Sequence, residues 1–441
     1  MSGHVPVLQP MKKAYAAPAA APSPAPAAVR QCLAAKVRAF IGRWSLRRGW
    51  RFTLLVLGLR PPFRLTGRPR QPSLAAPMDR VPVLALLALA LAACRSAEVR
   101  PASGPASPPA WEAENPVRPL PAAPLGSPAD FSSVPWVTPE KVRLGRWLFY
   151  DARLSADGTI SCATCHRPEH AFSEPTAVST GIGGRQGRRK SPPILNAAWP
   201  VYPRYFWDGR ASSLAEQARG PLENEVEMGN TLEHVVLTVS RVAGYAPYFR
   251  EAFGDPGVDI ARVSEAIAAY EATRLSGNSR YDRFAAGDES ALGPDERRGM
   301  ELFFGRAQCA QCHLGPSLSD AQFHNLGVGW RPPDPYVEAP IAGFADKGRY
   351  EVTGDQKDVG AFKTPTLRDC SKHAPYMHDG SMATLEEAVL HYWRGGFPNP
   401  WLSERMTPVP MSRGDLEALV AFLRALDGEG YADVAPRSFP Q

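Results

Sequence analysis

The sequence predicts a mainly α-helical protein with two similar domains and long loops, and three observations support this prediction. Apolar residues recur at helical spacing in several segments, whereas no stretch sustains the alternation of a strand. The motif Cys-x-x-Cys-His occurs twice, at 162–166 and 309–313. The pattern Gly-x-x-Leu-Phe-aromatic precedes each copy, at 145–150 and 299–304. A duplicated domain explains both repeats with one assumption.

The clearest helix signals are caps and apolar faces. Thr138 and Pro139 form a cap and first turn, and Thr384 with Glu387 has the spacing of a capping box. The segment 258–275 places its large apolar residues on one face. The predicted helices cover 142–150, 231–242, 258–275, 384–394 and 412–426.

Each Cys-x-x-Cys-His motif has the spacing that attaches a c-type haem. Two thiols three residues apart can bond the vinyl groups of one porphyrin, and the adjacent imidazole can bind its iron. A zinc ribbon would instead combine Cys or His pairs on one ion, which a separate His beside each pair disfavours. The candidate attachment residues are Cys162, Cys165, Cys309 and Cys312, and the candidate iron ligands are His166 and His313. The two motifs therefore predict a duplicated haem domain.

Charge is distributed unevenly along the 441 residues, a length that allows two or three domains. Residues 1–77 hold 13 Lys and Arg and no Asp or Glu, so the remainder after residue 93 carries a formal charge of −7. The excess of basic residues therefore lies in the N-terminal leader, residues 1–77. For this reason we do not expect nucleic-acid binding.

The segment 78–93 resembles a lipoprotein-type signal peptide, with one basic residue, a short apolar run and a lipobox ending at Cys94. The apolar run is too short to span a membrane. We therefore expect 1–77 to be a mis-assigned N-terminal extension. The mature protein would be periplasmic, attached to the outer membrane only through a lipid on Cys94. Residues 94–135 are rich in Pro, Ala and Ser and are expected to form a flexible tether.

The ordered region, about 135–430, resembles the bacterial di-haem cytochrome c peroxidase family, which includes MauG. The resemblance implies a mainly α fold of two cytochrome c-like haem domains packed together, with long loops. The N-terminal, peroxide-reactive haem domain would span 136–276, and the C-terminal, electron-transfer haem domain 277–430. The motifs that carry it are Leu-Gly-Arg-Trp-Leu-Phe-Tyr-Asp at 144–151, Phe-Trp-Asp-Gly-Arg at 206–210, Glu-Met-Gly at 227–229, Phe-His-Asn at 323–325, Lys-Thr-Pro-Thr-Leu-Arg at 363–368 and Ala-Pro-Tyr-Met-His-Asp-Gly at 374–380.

Cleavage of a peroxide bond needs a group that takes a proton from one oxygen and gives it to the other. The residue types alone leave Glu223, Glu225 and Glu227 open, and the resemblance selects Glu227. The resemblance also implies that Gln217 lines the same pocket and that Trp207 lies between the two haems. An indole there can relay an electron, although a lone Trp more often packs a core.

Two departures from the common peroxidase pattern define the subtype. No His lies between His170 and His234, where many relatives carry a distal His, so we predict an open sixth position at the first haem. At the second haem, Tyr392 stands where peroxidases place a Met, as in MauG. Met377, Met382 and His391 remain alternative ligands, with His391 expected on the outer helix face. A phenolate favours Fe(III) and higher states.

Three further expectations concern Lys190, Cys370 and His324. Relatives often bind calcium through an Asn at the position of Lys190, and a charged ammonium has no lone pair to offer, so calcium is doubtful. Cys370 is expected to be a buried thiol, and His324 a structural hydrogen-bonding residue rather than a ligand.

The resemblance implies reduction of H₂O₂ at the first haem with electrons that arrive through the second. A small cytochrome c or cupredoxin would be the donor, and a homodimer is compatible with the family. The alternatives are MauG-like oxidation of side chains on a partner protein, favoured by Tyr392, and a non-catalytic di-haem electron carrier.

Overall fold

The computed structural model describes residues 109–199, 203–332 and 340–441. The predicted leader, the signal peptide and Cys94 lie outside these residues. The described residues belong to one unit that extends over Arg100–Gln441. Among them, no helix combines the length and apolar character that a membrane span requires.

Helices account for most of the regular structure, as the sequence predicts. Five helices correspond to the predicted segments, with ends that differ by up to three residues, and they cover 139–150, 232–241, 260–272, 385–393 and 413–424. A short antiparallel pair of strands, which the sequence did not predict, joins Phe323 to Lys363 in register. The elements are α1 Ala110–Glu114, α2 Pro139–Tyr150, α3 Cys162–Cys165, α4 Leu214–Glu223, α5 Leu232–Arg241, α6 Ala246–Phe253, α7 Ile260–Ala272, α8 Arg280–Ala285, α9 Pro294–Phe304, β1 Phe323–Asn325, α10 Tyr350–Thr353, β2 Ala361–Lys363, α11 Leu385–Trp393 and α12 Arg413–Arg424.

The predicted helix caps are present. The Thr138 hydroxyl accepts from the Lys141 amide at 3.3 Å, with Pro139 in the first turn. Thr384 and Glu387 exchange side-chain and backbone hydrogen bonds as a capping box. These bonds satisfy amides that have no partner within the helix and so fix where α2 and α11 begin.

The duplicated glycines mark the closest helix crossing in each half of the fold. A Cβ atom on Gly145 in α2 would lie 1.7 Å from the Ala266 carbonyl oxygen in α7. A Cβ on Gly299 in α9 would lie 1.9 Å from the Ala418 carbonyl oxygen in α12. Only glycine permits backbones to approach so closely. The sequence repeat therefore corresponds to a repeated helix pair.

Two hydrophobic clusters follow from these crossings. The first packs Trp147, Phe149 and Ile267, and the second packs Phe303 and Phe422. The predicted boundary between 136–276 and 277–430 stays a prediction. Tyr431, which follows the second predicted domain, lies in the first cluster.

The prediction of a flexible tether was wrong for residues 109–135. Asn115 is buried, and its side chain donates to the Arg143 carbonyl at 2.8 Å. Trp111 donates to the Tyr248 hydroxyl at 3.2 Å, and Phe131 packs edge-on against Trp199. Long-range partners compensate for the Pro-rich composition, which sequence analysis of the segment alone could not reveal.

Candidate functional site

A cavity of about 620 Å³ adjoins the first Cys-x-x-Cys-His motif. Its lining brings together residues that are distant in sequence, because the loop after α3, the 206–210 motif and α4 meet around it. The predicted site residues His166, Trp207, Gln217 and Glu227 all line this cavity.

His166 is oriented for ligation by a backbone hydrogen bond. Its Nδ1 lies 3.1 Å from the Phe172 carbonyl oxygen, so Nδ1 carries the proton and Nε2 is left for an iron. Burial lowers the pKa of His166, which keeps the imidazole neutral. Cys162 and Cys165 are free thiols, and burial raises the pKa of Cys165 to about 11.

The second motif is arranged in the same way around a cavity of about 210 Å³. His313 Nδ1 lies 3.0 Å from the Leu318 carbonyl oxygen, and burial lowers the pKa of His313 to about 4. Cys309, Cys312 and His313 line the cavity, and the lining is mainly apolar. Two unpaired thiols and an oriented imidazole beside a cavity fit a covalent haem at each motif.

The zinc alternative lacks geometric support. Among the residues that the structure describes, the group of His, Cys, Asp and Glu close enough to share one ion is Cys312, Asp320 and His324. It contains one cysteine from one motif, so the two Cys pairs do not converge. His324 Nε2 lies 2.8 Å from Asp320 Oδ2, which agrees with the hydrogen-bonding role expected of His324.

Glu227 is the one member of the three candidate carboxylates that lines the first cavity, whereas Glu223 and Glu225 are exposed. Burial raises the pKa of Glu227, while Arg210 and a hydrogen bond from Asn224 oppose the rise. The Asn224 amide donates to Glu227 Oε1 at 2.6 Å and fixes one carboxylate oxygen. Glu227 is therefore positioned to exchange a proton with a group in the cavity.

Arg210 was missed in the sequence analysis although it closes the 206–210 motif. It lines the first cavity, binds Asp208 at 2.8 Å and stacks 3.5 Å from the Phe206 ring centroid. The positive charge of Arg210 lowers the pKa of Glu227 and so opposes part of the rise that burial causes.

Trp207 lines both cavities and so forms part of the wall between them. Its indole Nε1 donates to the Lys190 carbonyl at 2.8 Å, which fixes the ring. Lys363 and Pro365 also line both cavities, and the Lys363 amide donates to the Trp207 carbonyl at 2.8 Å. The loop that contains Lys190 thus holds the indole, and β2 holds the Trp207 backbone, at the wall between the two cavities.

The sequence predicts a first haem without a distal His. His166 is the one imidazole in the described lining of this cavity. His170 lies in a short 3₁₀ turn and lines neither cavity. An open sixth coordination position stays a prediction.

Tyr392 lines the second cavity, as does the alternative ligand Met377. Burial raises the pKa of Tyr392. Met382 packs with Val328 and Ala388 and does not line the cavity.

The prediction that His391 faces outward was wrong. It is buried, lies 3.0 Å from the Leu326 carbonyl oxygen through Nε2, and packs 4.8 Å from the Phe397 ring. The loop after α11 folds back over the face that the helix pattern alone leaves exposed. His391 therefore does not line the cavity.

His378 is a second residue that sequence reasoning missed. It lines the second cavity, is buried, and stacks on Phe362 of β2 with ring centroids 3.5 Å apart. Burial lowers the pKa of His378 to about 4. Its place in the 374–380 motif was the available signal, but the partner ring comes from a strand that the sequence did not predict.

Lys190 is a buried cation at the junction of the two halves. Its ammonium donates to the Glu174 carbonyl and, at 3.4 Å, to the Thr176 carbonyl. Its amide donates to the His378 carbonyl at 2.8 Å. Burial lowers the pKa of Lys190 to about 8.

Comparison with known proteins gives consistent matches. Residues 139–290 match the family described as di-haem cytochrome c peroxidase. The chain is 41% identical over 302 residues to the methylamine utilization protein MauG of Methylorubrum extorquens. The match covers 68% of this chain and 82% of that protein. The chain is also 37% identical over 300 residues to the cytochrome c551 peroxidase of Nitrosomonas europaea. This match covers 66% of this chain and 82% of that protein.

A solved structure is similar over most of its length. It is a MauG-like protein associated with microbial copper homeostasis, with a TM-score of 0.61 and 32% sequence identity. The match covers 74% of this chain and 97% of that protein.

Proposed function

Because the chain belongs to the di-haem cytochrome c peroxidase family, we propose that it reduces H₂O₂ at the first haem site with electrons that arrive through the second. The observation that carries this proposal is the placement of Glu227 and His166 on one cavity whose wall includes Trp207. A proton-transfer group, an iron ligand and an oxidisable ring are then contiguous.

The chain's own residues supply the protein part of this chemistry. Cys162, Cys165 and His166 would hold the first haem, which would supply the redox chemistry for cleaving the peroxide bond. The Glu227 carboxylate accepts a proton from one peroxide oxygen and returns it to the other. The Gln217 amide, on the same cavity, can donate a hydrogen bond to the bound oxidant. Trp207 passes electrons between the two cavities that it separates.

MauG-like oxidation of a partner protein is the second candidate, and Tyr392 in the second cavity is the observation that favours it. An anionic oxygen ligand disfavours reduction by ordinary cytochromes and helps the site to retain an oxidising equivalent.

Steady-state turnover of the haem-loaded protein with H₂O₂ and reduced cytochrome c distinguishes the two candidates. We expect rapid, peroxide-dependent oxidation of the cytochrome if the peroxidase proposal holds. Rapid reaction with one equivalent of peroxide but negligible turnover would contradict it in favour of protein oxidation. No spectral response to peroxide would contradict both and leave an electron carrier.

Replacing the shared-wall indole tests the relay. We expect Trp207→Phe to slow electron transfer from the reduced second haem to the peroxide-oxidised first haem by about tenfold or more, because phenylalanine is hard to oxidise. Stopped-flow spectroscopy of the half-reduced protein would measure this rate. Trp401→Phe is the control, since Trp401 lines neither cavity. Equal rates in both variants would show that Trp207 only packs.

We also propose that Lys190 makes calcium unnecessary. Chelation of calcium should leave the ferric spectrum and the unfolding midpoint unchanged. Lys190→Met should lower the free energy of unfolding by about 1–3 kcal/mol, because two carbonyls lose their buried donor. Denaturant titration with and without chelator measures both effects. A rise in stability of the parent protein on adding calcium would contradict the proposal.

A further inference from the structure

Tyr431 occupies an unusual position for a residue that follows the last helix. It is buried and belongs to the hydrophobic cluster of the first half. Its ring packs edge-on against Phe172, with centroids 6.5 Å apart. The carbonyl of Phe172 is the group that orients His166. Tyr431 therefore contacts the residue whose carbonyl orients the candidate iron ligand.

The hydroxyl of Tyr431 has a proton acceptor in place. It donates to Asp369 Oδ1 at 2.9 Å, and Asp369 is fully buried. Lys372 Nζ donates to the Tyr431 oxygen at 2.6 Å and to Asp369 at 2.8 Å. A phenol that loses an electron becomes a strong acid, so oxidation at this site needs a base within hydrogen-bonding distance, which Asp369 provides.

The same pair also adjoins the second haem site. Asp369 directly precedes Cys370, which is buried as expected and lines the second cavity. The Cys370 carbonyl accepts from the Tyr376 hydroxyl, another residue of that lining, at 3.1 Å. Tyr431 thus connects the proximal loop of the first haem site with the wall of the second.

We propose that Tyr431 is a redox-active residue that gives one electron to the first haem site after peroxide has oxidised it and while no external donor is bound. This inference rests on the proposed function. It adds a protective site that stores one oxidising equivalent on a buried side chain.

Oxidation of Tyr431 is a one-electron, one-proton step that follows the reduction of peroxide. Reduction of H₂O₂ to two water molecules takes two electrons and two protons from the haem-loaded protein and solvent. Tyr431 then returns one of those electrons. Its phenolic O–H bond breaks, the proton bonds to Asp369, and a neutral tyrosyl radical remains. The Lys372 ammonium still donates to the radical oxygen and stabilises it.

The test uses the haem-loaded protein with ring-deuterated tyrosine and one equivalent of H₂O₂, without reductant. Freeze-quench EPR should show a radical signal that deuteration narrows. Tyr431→Phe should reduce its amplitude about tenfold, and Asp369→Asn should reduce it similarly because an amide is a poor base. Tyr245→Phe is the matched control, since Tyr245 is also buried and donates to Asp151 at 2.8 Å.

A second readout protects the test against a variant that folds poorly. Spin trapping in the parent protein, followed by mass spectrometry of its peptides, should place the adduct on Tyr431. An unchanged radical in Tyr431→Phe, an equal loss in Tyr245→Phe, or trapping elsewhere would overturn the inference alone. If the parent's visible spectrum does not respond to peroxide, the proposed function fails and this inference fails with it.

Discussion

Glu227→Gln is expected to slow the reaction with H₂O₂ by about 10²- to 10⁴-fold, the range that general acid–base groups contribute. Glutamine keeps the size of the side chain and its hydrogen bond with Asn224 but cannot carry the proton. Stopped-flow mixing of the ferric protein with peroxide measures the rate. Glu225→Gln is the matched control, because Glu225 is exposed two residues away and does not line the cavity.

The rate of the same reaction is expected to decrease at acidic pH. Glu227 must be ionised to accept the proton, and burial raises its pKa above the ordinary value of 4.5. The rate should therefore fall as the pH drops through that raised pKa, and the acidic limb should be absent in Glu227→Gln. A raised folded-state pKa also means that ionised Glu227 costs stability above it. Glu227→Gln should thus unfold at a slightly higher temperature at pH 7 while losing activity.

A parent-like peroxide rate in Glu227→Gln would remove this carboxylate from the mechanism. An equal loss in Glu225→Gln would instead indicate a general electrostatic effect of the loop that contains both residues.

Among the cavity residues other than the attachment residues Cys309, Cys312 and His313, Tyr392 is the one whose replacement by Phe is expected to change the second haem most. Loss of an anionic oxygen ligand should raise the reduction potential by on the order of 0.1 V or more, within the span of roughly 0.8 V that axial ligands cover. Redox titration followed by EPR measures the shift. Tyr376→Phe is the control, since Tyr376 lines the same cavity but donates to a backbone carbonyl.

The competing ligand gives a distinct outcome. If Met377 binds the iron, Tyr392→Phe should leave the potential and the EPR signal unchanged, and Met377→Leu should change both. His391 is buried against the Leu326 carbonyl and outside the cavity lining, so replacing it should affect stability rather than the spectrum.

Local chemistry made much of the molecule predictable. The Thr138 and Thr384 caps were recognisable because capping depends on residues a few positions apart. The paired glycines were visible as a repeat, although the backbone contacts that require them became clear only from the helix crossings. The haem motifs were predictable for the same reason, since their donors are adjacent in sequence.

Features that depend on distant partners were not predictable. The face of His391 was wrong because the loop that covers it lies beyond the helix and meets Leu326 from another part of the chain. The order of residues 109–135 depends on Arg143 and Tyr248, which no property of that segment encodes. Choosing Glu227 required the family resemblance, because three carboxylates of similar character lie within five residues.

The segment after α12 has a consequence for how the protein matures. Asp433 binds Arg146 and Tyr270, and Tyr431 fills the cluster that α2 and α7 build. Ribosomes make the chain from its amino end, so the hydrophobic cluster of the first half includes residues that are synthesised last. The hydrophobic cluster beside the first thiol pair is consequently complete only when the last residues of the chain have been made, despite the early place of those thiols in the sequence.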